Sequence, residues 1–480
     1  MKRVRESSLA ARVKGRIGVY GNRSIDTASR APAWNRIKGD YSKKQANAWH
    51  EQEVCETRDI LAMAEVKELR CVIGDCRFGV DEVSYTCPAH GELGTLDILY
   101  DYAALRSQLD RDELSASSAA NCWRYKSLMP LAPEAVVPPL SVGWTPLYDA
   151  PRIAQKLGLR SVYVKDDGAN PTGSLKDRAS ALVLARALEL GFSTVSTAST
   201  GNAAAALAGL GASTPEVDIV IFVPASAPAA KIAQLLVYGA HVLLVEGSYD
   251  EAFDLCLETC AAQSWYSRNT GVNPYTTEGK KTVALEIAEQ LNWRAPDVVA
   301  VSVGDGSIIS GLYKGFYDLR QLGWINRMPR LLGVQAEGSA VLAKAFDQGL
   351  DPLDVKREAV ATIADSIASE LPRDRAKALR AVRRTDGCYV TVSDAMIQAA
   401  IPEFAQLSGV FAEPAAAATY AGLKRAVSAG LIDGDESVCI VSTGNGLKDV
   451  DRARKSVSGG TRVAADRAAV EVALKSAGLV

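Results

Sequence analysis

Histidine is the scarcest chemical resource in this chain: three residues in 480, His50, His90 and His241. None adjoins a glycine-rich or lysine-bearing segment, which argues against a Ser-His-Asp hydrolase. Net charge is also missing, with 54 Lys and Arg against 56 Asp and Glu, so the chain as a whole carries no signal for nucleic acid. No apolar run reaches membrane-spanning length without polar interruption, and Met1-Lys2-Arg3-Val4-Arg5-Glu6 lacks the apolar core of a secretory signal. A cytoplasmic location with neither membrane nor nucleic-acid partner is therefore expected. Internal repeats and long Pro/Ser-rich linkers are absent too, which favours interleaved domains over beads on a string. What remains is ample apolar material, 48% of 480 residues, enough for two main domains with extensions.

Residues 1–48 hold twelve Lys/Arg and three Asp/Glu with little periodicity, and read as a basic solvated arm or a dimer-contact segment. The nine cysteines are dispersed. Cys122, Cys256, Cys260, Cys388 and Cys439 lie in apolar or helical contexts and read as reduced core residues, whereas Cys55 is uninformative. Cys71, Cys76, Cys87 and His90 place four potential ligands within 20 residues. They suit either a closed tetrahedral zinc site or a metal-free hairpin. The wide Cys71-x4-Cys76 spacing favours the second, so no metal is expected.

Between residues 155 and 270 short apolar strands alternate with helical patterns. Strands are predicted over 161–165, near Thr194, over 217–223 and over 241–245, with helices from Ser174, Asn202, Lys231 and Tyr249. A second series follows from Val298, with helices over 308–322, near Ala340, and over 369–384, 393–408 and 414–429, and strands over 331–335 and 437–441. This is α/β organisation with parallel sheets covered by helices. Such sheets take ligands outside the carboxyl ends of their strands. The tail closes on an amphipathic helix over 464–479, expected to pack on the body.

Four segments carry chemistry. In Asn170-Pro171-Thr172-Gly173-Ser174-Leu175-Lys176-Asp177-Arg178 a lysine sits where a turn runs into a helical pattern. Such an amine can form a Schiff base and later shuttle a proton, unless it is merely an exposed helix-start residue paired with Asp177. Ser199-Thr200-Gly201-Asn202 joins a strand to a helix, offering donors for an anion or simply capping the helix. In Gly304-Asp305-Gly306-Ser307-Ile308 the glycines let backbone N–H groups converge on a phosphate, to which Ser307 adds a hydroxyl. Asp305 would repel that phosphate unless it turns outward or caps the next helix. Ser442-Thr443-Gly444-Asn445-Gly446-Leu447-Lys448-Asp449 is a glycine turn after a strand.

In this order, with Gly143-Trp144-Thr145-Pro146-Leu147, Asn273-Pro274, Glu278-Gly279-Lys280-Lys281-Thr282 and Ala412-Glu413-Pro414-Ala415, the segments resemble the threonine synthase-like family of fold-type-II pyridoxal-phosphate (PLP) enzymes. The resemblance covers roughly residues 65–452. It implies a two-domain fold-type-II enzyme with 101–165 and 271–452 as the large PLP-binding domain and 166–270 as a small βαβ domain carrying the lysine. Flanking these are a basic arm (1–64), a small Cys-rich hairpin region (65–100) and a tail (453–480). By the same resemblance Lys176 carries PLP and is the catalytic base, and Asn202 contacts the cofactor's phenolic oxygen. Gly304, Asp305, Gly306, Ser307 and Ile308 hold its phosphate. Thr443 bonds the pyridine nitrogen, while Ser199, Thr200 and Gly201 hold the substrate carboxylate. A homodimer is expected.

The chain departs from the family pattern at several positions: Leu175 replaces a usual Phe, and Asp305 and Ile308 stand where Asn is common. In the cysteine cluster, relatives with a Cys-rich subdomain have two Cys-x-x-Cys knuckles, whereas here the first is widened and the last ligand is histidine. Ala203 replaces Thr, and Thr276 replaces an Arg that would bind a substrate phosphate. The last two point to a PLP lyase or β-replacement enzyme acting on serine, threonine or a diamino acid by removal of the Cα proton. The alternatives are threonine synthase, converting O-phosphohomoserine and water to threonine and phosphate with Arg268, Lys280 or Lys281 as a replacement anchor, and a noncatalytic PLP- or amino-acid-binding protein.

Overall fold

The computed structural model describes residues 66–480; the basic arm, His50 and Cys55 lie outside the described residues. Three sheets organise the chain. The first is a small antiparallel sheet in which Val66–Cys71 runs between Arg77–Phe78 and Leu96–Tyr100. The second has six strands in the order Cys388–Val392, Arg330–Ala336, Val298–Ser302, Ser437–Ser442, Ser161–Asp166 and Leu147–Asp149. All its neighbours are parallel except the last pair. The third, of four parallel strands, runs His241–Val245, Asp218–Pro224, Thr194–Ala198, Tyr266–Ser267.

Strand sequences account for this layering. Val298–Ser302 and Ser437–Ser442 are buried along their whole length, as expected of strands with helices on both faces. Their apolar side chains divide between two cores on either side of the six-stranded sheet. Because the strands are parallel, the Gly304 loop, the Thr443 turn and the chain leading to Lys176 leave the large sheet at carboxyl ends. The Ser199 turn leaves the small sheet in the same way.

Running through the centre is the helix Tyr275–Gln290, in which every side chain from Tyr275 to Glu289 is buried. It meets its neighbours at backbone distance. A Cβ on Gly279 would stand 2.3 Å from the Arg178 carbonyl oxygen, and one on Gly315 2.4 Å from that of Lys281. Glycine is thus required on both sides of the central helix.

Two expected helices differ. The segment predicted as helix over 369–384 becomes helical only at Arg375, because Pro372 disfavours helical backbone in the residue before it. In the tail, Arg467–Ser476 forms, but it buries none of its side chains. The expected packing is therefore slight, with only Ala469, Ala473 and Leu474 half-buried.

Candidate active site

Lys176 opens the helix Lys176–Glu189, and its position is set by the turn before it. Gly173 takes a left-handed φ of 80°, which glycine adopts without strain. The turn is then stitched to the Thr443 segment: Leu175 N–H donates to the Thr443 carbonyl at 3.0 Å and Asn445 N–H to that of Gly173 at 2.9 Å. Asp177 does not pair with the lysine; it is buried and accepts from Thr172 N at 2.7 Å and from the Thr172 hydroxyl. Burial pushes the Lys176 amine down to about 8, against the opposing pull of the Glu413 carboxylate. The neutral amine of this lysine is therefore far more accessible near neutral pH than that of an ordinary lysine.

The segment is braced from behind by a buried ion network. Arg178 reaches Asp167 at 2.7 Å and Glu286 through two nitrogens, and Lys165 approaches Glu286 at 2.7 Å. All four side chains are wholly buried, so each charge depends on its partners. Sequence reading marked Arg178 only as part of a motif. The partners come from elsewhere in the chain and gave no local signal.

Around Lys176 lies a cavity of about 890 Å³ lined by the Ser199-Thr200-Gly201-Asn202 turn, the whole Gly304–Ile308 loop and Thr443. All the sequence-proposed site residues therefore meet at one cavity. Asn202 donates to both Glu413 oxygens at 3.0 and 3.1 Å. In the glycine loop, a Cβ on Gly304 would lie 2.8 Å from Ile367 Cα, and Gly306 has φ of 90°. The Asp305 carboxylate faces away from the loop, accepting from the Ser369 hydroxyl at 3.0 Å and Arg373 N–H at 3.4 Å. Behind the loop Lys280 donates to the Ser307 hydroxyl at 2.5 Å. Burial, together with Arg268 and Lys176, holds the Lys280 amine well below its ordinary value.

Sequence reading missed Glu413 as a site residue and could not place Arg268 or the other candidate cations. Glu413 lines the cavity and is buried, with its carboxyl pushed up by desolvation; its one clue was the Glu-Pro pair opening an alanine-rich helix. Arg268 also lines the cavity. It donates to Ser180 at 3.1 Å and Thr270 at 2.8 Å, and its second terminal nitrogen is buried without a partner. Lys281 is instead locked between Glu278 and Asp318. Thr276 is buried outside the cavity lining and donates to the Asn273 carbonyl at 2.8 Å.

These features suit a phosphorylated aldehyde cofactor: a neutralisable lysine, a glycine loop feeding the 16-residue helix Ser307–Leu322, and behind it the buried Lys280 amine, whose charged form a phosphate would favour. Residues 139–444 match the family of pyridoxal-phosphate dependent enzymes. The chain belongs to this family. It is 40% identical over 382 residues to a threonine synthase of Methanosarcina acetivorans, covering 79% of this chain and 92% of that one. With a threonine synthase of Methanocaldococcus jannaschii it shares 38% over 385 residues, 80% and 93% of the two chains. Among solved structures it is similar in fold to a threonine deaminase from Solanum lycopersicum, with a TM-score of 0.56 at 24% identity over 65% of this chain and 87% of that one.

The protein is thus a fold-type-II, PLP-dependent enzyme of the lyase and synthase kind. Among the described residues no helix is long and apolar enough to cross a membrane.

Proposed function

We propose that this enzyme converts O-phosphohomoserine and water to threonine and phosphate, the activity that the names of its similar relatives carry. The observation that carries this reading is Arg268, a buried guanidinium in the cavity wall with one terminal nitrogen free for an anion. The glycine loop and Ser307 take the phosphate of PLP, which leaves Arg268 for the phosphate of the substrate. Burial pulls its guanidinium down only to about 10, so it remains cationic at neutral pH. Thr276 loses its weight against this reading because that position lies outside the cavity lining.

Bound PLP supplies an electrophilic carbonyl and an electron sink, which makes the substrate Cα proton removable. Lys176 Nζ would hold the cofactor and, as an amine made less basic by desolvation, would serve as the base for that proton. Asn202, oriented by its hydrogen bonds to Glu413, would hold the cofactor's phenolic oxygen. The Ser199-Thr200-Gly201 turn holds the substrate carboxylate. Thr443, which lines the cavity, would offer the pyridine nitrogen a neutral hydroxyl, so the sink supplied there would be a moderate one. A cytoplasmic homodimer accompanies this reading.

A second reading, elimination or replacement at Cβ of a small amino acid, is favoured by Ala203, which lines the cavity and has no hydroxyl for a phosphate. A competition assay separates the two: serine, threonine, 2,3-diaminopropionate, O-phosphoserine and O-phosphohomoserine are supplied together and products resolved by mass. Dominant threonine from O-phosphohomoserine is expected, whereas dominant products from a β-substituted amino acid would reject the proposal. Arg268→Gln should keep the cofactor's visible band while lowering kcat/KM for O-phosphohomoserine about 10- to 100-fold, from ~1.5–3 kcal/mol for a charged hydrogen bond.

A further inference from the structure

Away from the lysine, Cys71, Cys87 and His90 converge despite their irregular spacing, with Cys76 at the edge of the group. The sulfurs of Cys71, Cys76 and Cys87 lie 3.5, 4.0 and 3.3 Å from His90 Nδ1, and the ligand atoms of Cys71, Cys87 and His90 all fall within 4.8 Å of one another. A tetrahedral zinc ion with Zn–S of about 2.3 Å and Zn–N of about 2.0–2.1 Å sets sulfur-to-nitrogen edges of roughly 3.5–3.6 Å. The three measured edges bracket that value.

The backbone explains how the wide spacing is overcome. Cys71 N–H donates to the Cys76 carbonyl at 2.8 Å, closing the four intervening residues into a tight turn. Opposite it, Cys87 N–H donates to the Gly94 carbonyl at 2.8 Å, and the His90 and Gly91 N–H groups fold back onto the Cys87 carbonyl at 3.1 and 2.9 Å. The imidazole lies where only glycine leaves room: a Cβ on Gly74 would stand 2.1 Å from His90 Cε1, and one on Gly94 2.7 Å from Cys87 Cβ. All three thiols are free of disulfides, and Cys71 and Cys87 are buried.

We propose that Cys71, Cys76, Cys87 and His90 bind one zinc ion, replacing the metal-free reading of the spacing. Three thiolates and an imidazole select zinc over harder cations, and four protein ligands leave no position for water, so the site is structural. Its place gives it a task. His90, Glu92 and Leu93 line the active-site cavity, and the small sheet reaches the central helix through Tyr100, whose hydroxyl donates to Glu278 at 2.5 Å. It reaches the small parallel sheet through Tyr85, whose hydroxyl accepts from Ser267 N–H at 2.9 Å. The ion fixes one wall of the cleft.

The test uses full-length PLP-loaded enzyme purified without chelator. Elemental analysis should find one zinc per chain, and X-ray absorption at the zinc edge three sulfurs and one nitrogen. Cys87→Ser should lose the metal, whereas His90→Cys should retain it with four sulfurs. Should Cys87→Ser fail to fold, the wild-type metal content and absorption spectrum still decide. Folded wild-type enzyme without zinc after dialysis against zinc salts, iron in its place, a shell with fewer than three sulfurs, or zinc retained by Cys87→Ser would each overturn the proposal.

Discussion

Lys176 has to be neutral before it can attack a carbonyl, and desolvation brings its amine to about 8 while Glu413 holds it from falling further. Two predictions follow from the sign of those effects. The rate at which apoenzyme takes up PLP should rise about tenfold per pH unit below pH ~8 and level off above it, as a single titration requires. In Glu413→Gln the stabilising carboxylate is gone, so the midpoint should move to lower pH. Stopped-flow absorbance over a pH series reads both, and an unmoved midpoint would detach Glu413 from the lysine. Lys176→Ala should lose the cofactor's visible band and multiple turnover while staying folded. Reductive trapping of PLP on another lysine would reassign the residue.

Elements set the precision of the site through packing that no local pattern announces. Short apolar strands and the turns after them were legible because a parallel sheet demands apolar residues on both faces and places its loops at one edge. Lys176, Asn202, Gly304 and Thr443 could be singled out because their motifs, which resemble those of the family, fall at such turns. The helix Tyr275–Gln290 escaped recognition because its burial relies on charges, Glu278, Lys280, Lys281 and Glu286, which, apart from the Glu278–Lys281 pair, find their partners far away in the chain. Arg268 could be named as a candidate anchor but not placed, because no local pattern says that a side chain after a two-residue strand faces the cavity. Gly279 tests the packing itself. Its missing Cβ is what lets the central helix approach Arg178, and Gly279→Ala should destabilise the fold by about 1–3 kcal/mol through overpacking. Denaturant unfolding measures this, and a stability equal to that of wild type would mean the helices can separate freely.

At the scale of the whole molecule, the cavity gathers segments from both parallel sheets: the Ser199 turn from the small one, the Gly304 loop and Thr443 from the large one, with Lys176 stitched to Thr443. Other links across the cavity are polar and partly exposed. Asp250, on the helix Tyr249–Gln263, pairs with Arg357 and with Arg373 at 3.4 Å, and Lys231 pairs with Asp365. Pairs of this kind contribute little each and are weakened by salt. A ligand that touches both sheets and binds only the folded chain should therefore dominate their coupling, stabilising by mass action by ~3 kcal/mol at about a hundredfold excess over its dissociation constant. Removing PLP should lower the unfolding temperature by a few degrees and split calorimetric unfolding into two transitions. Restoring PLP should merge them again. The apoenzyme should also be more sensitive to salt than the loaded enzyme, because without the ligand those exposed pairs carry a larger share of the polar coupling between the sheets, beside the apolar core they share. Identical single transitions with and without PLP, at every salt concentration, would show that the sheets are coupled by the central helix alone.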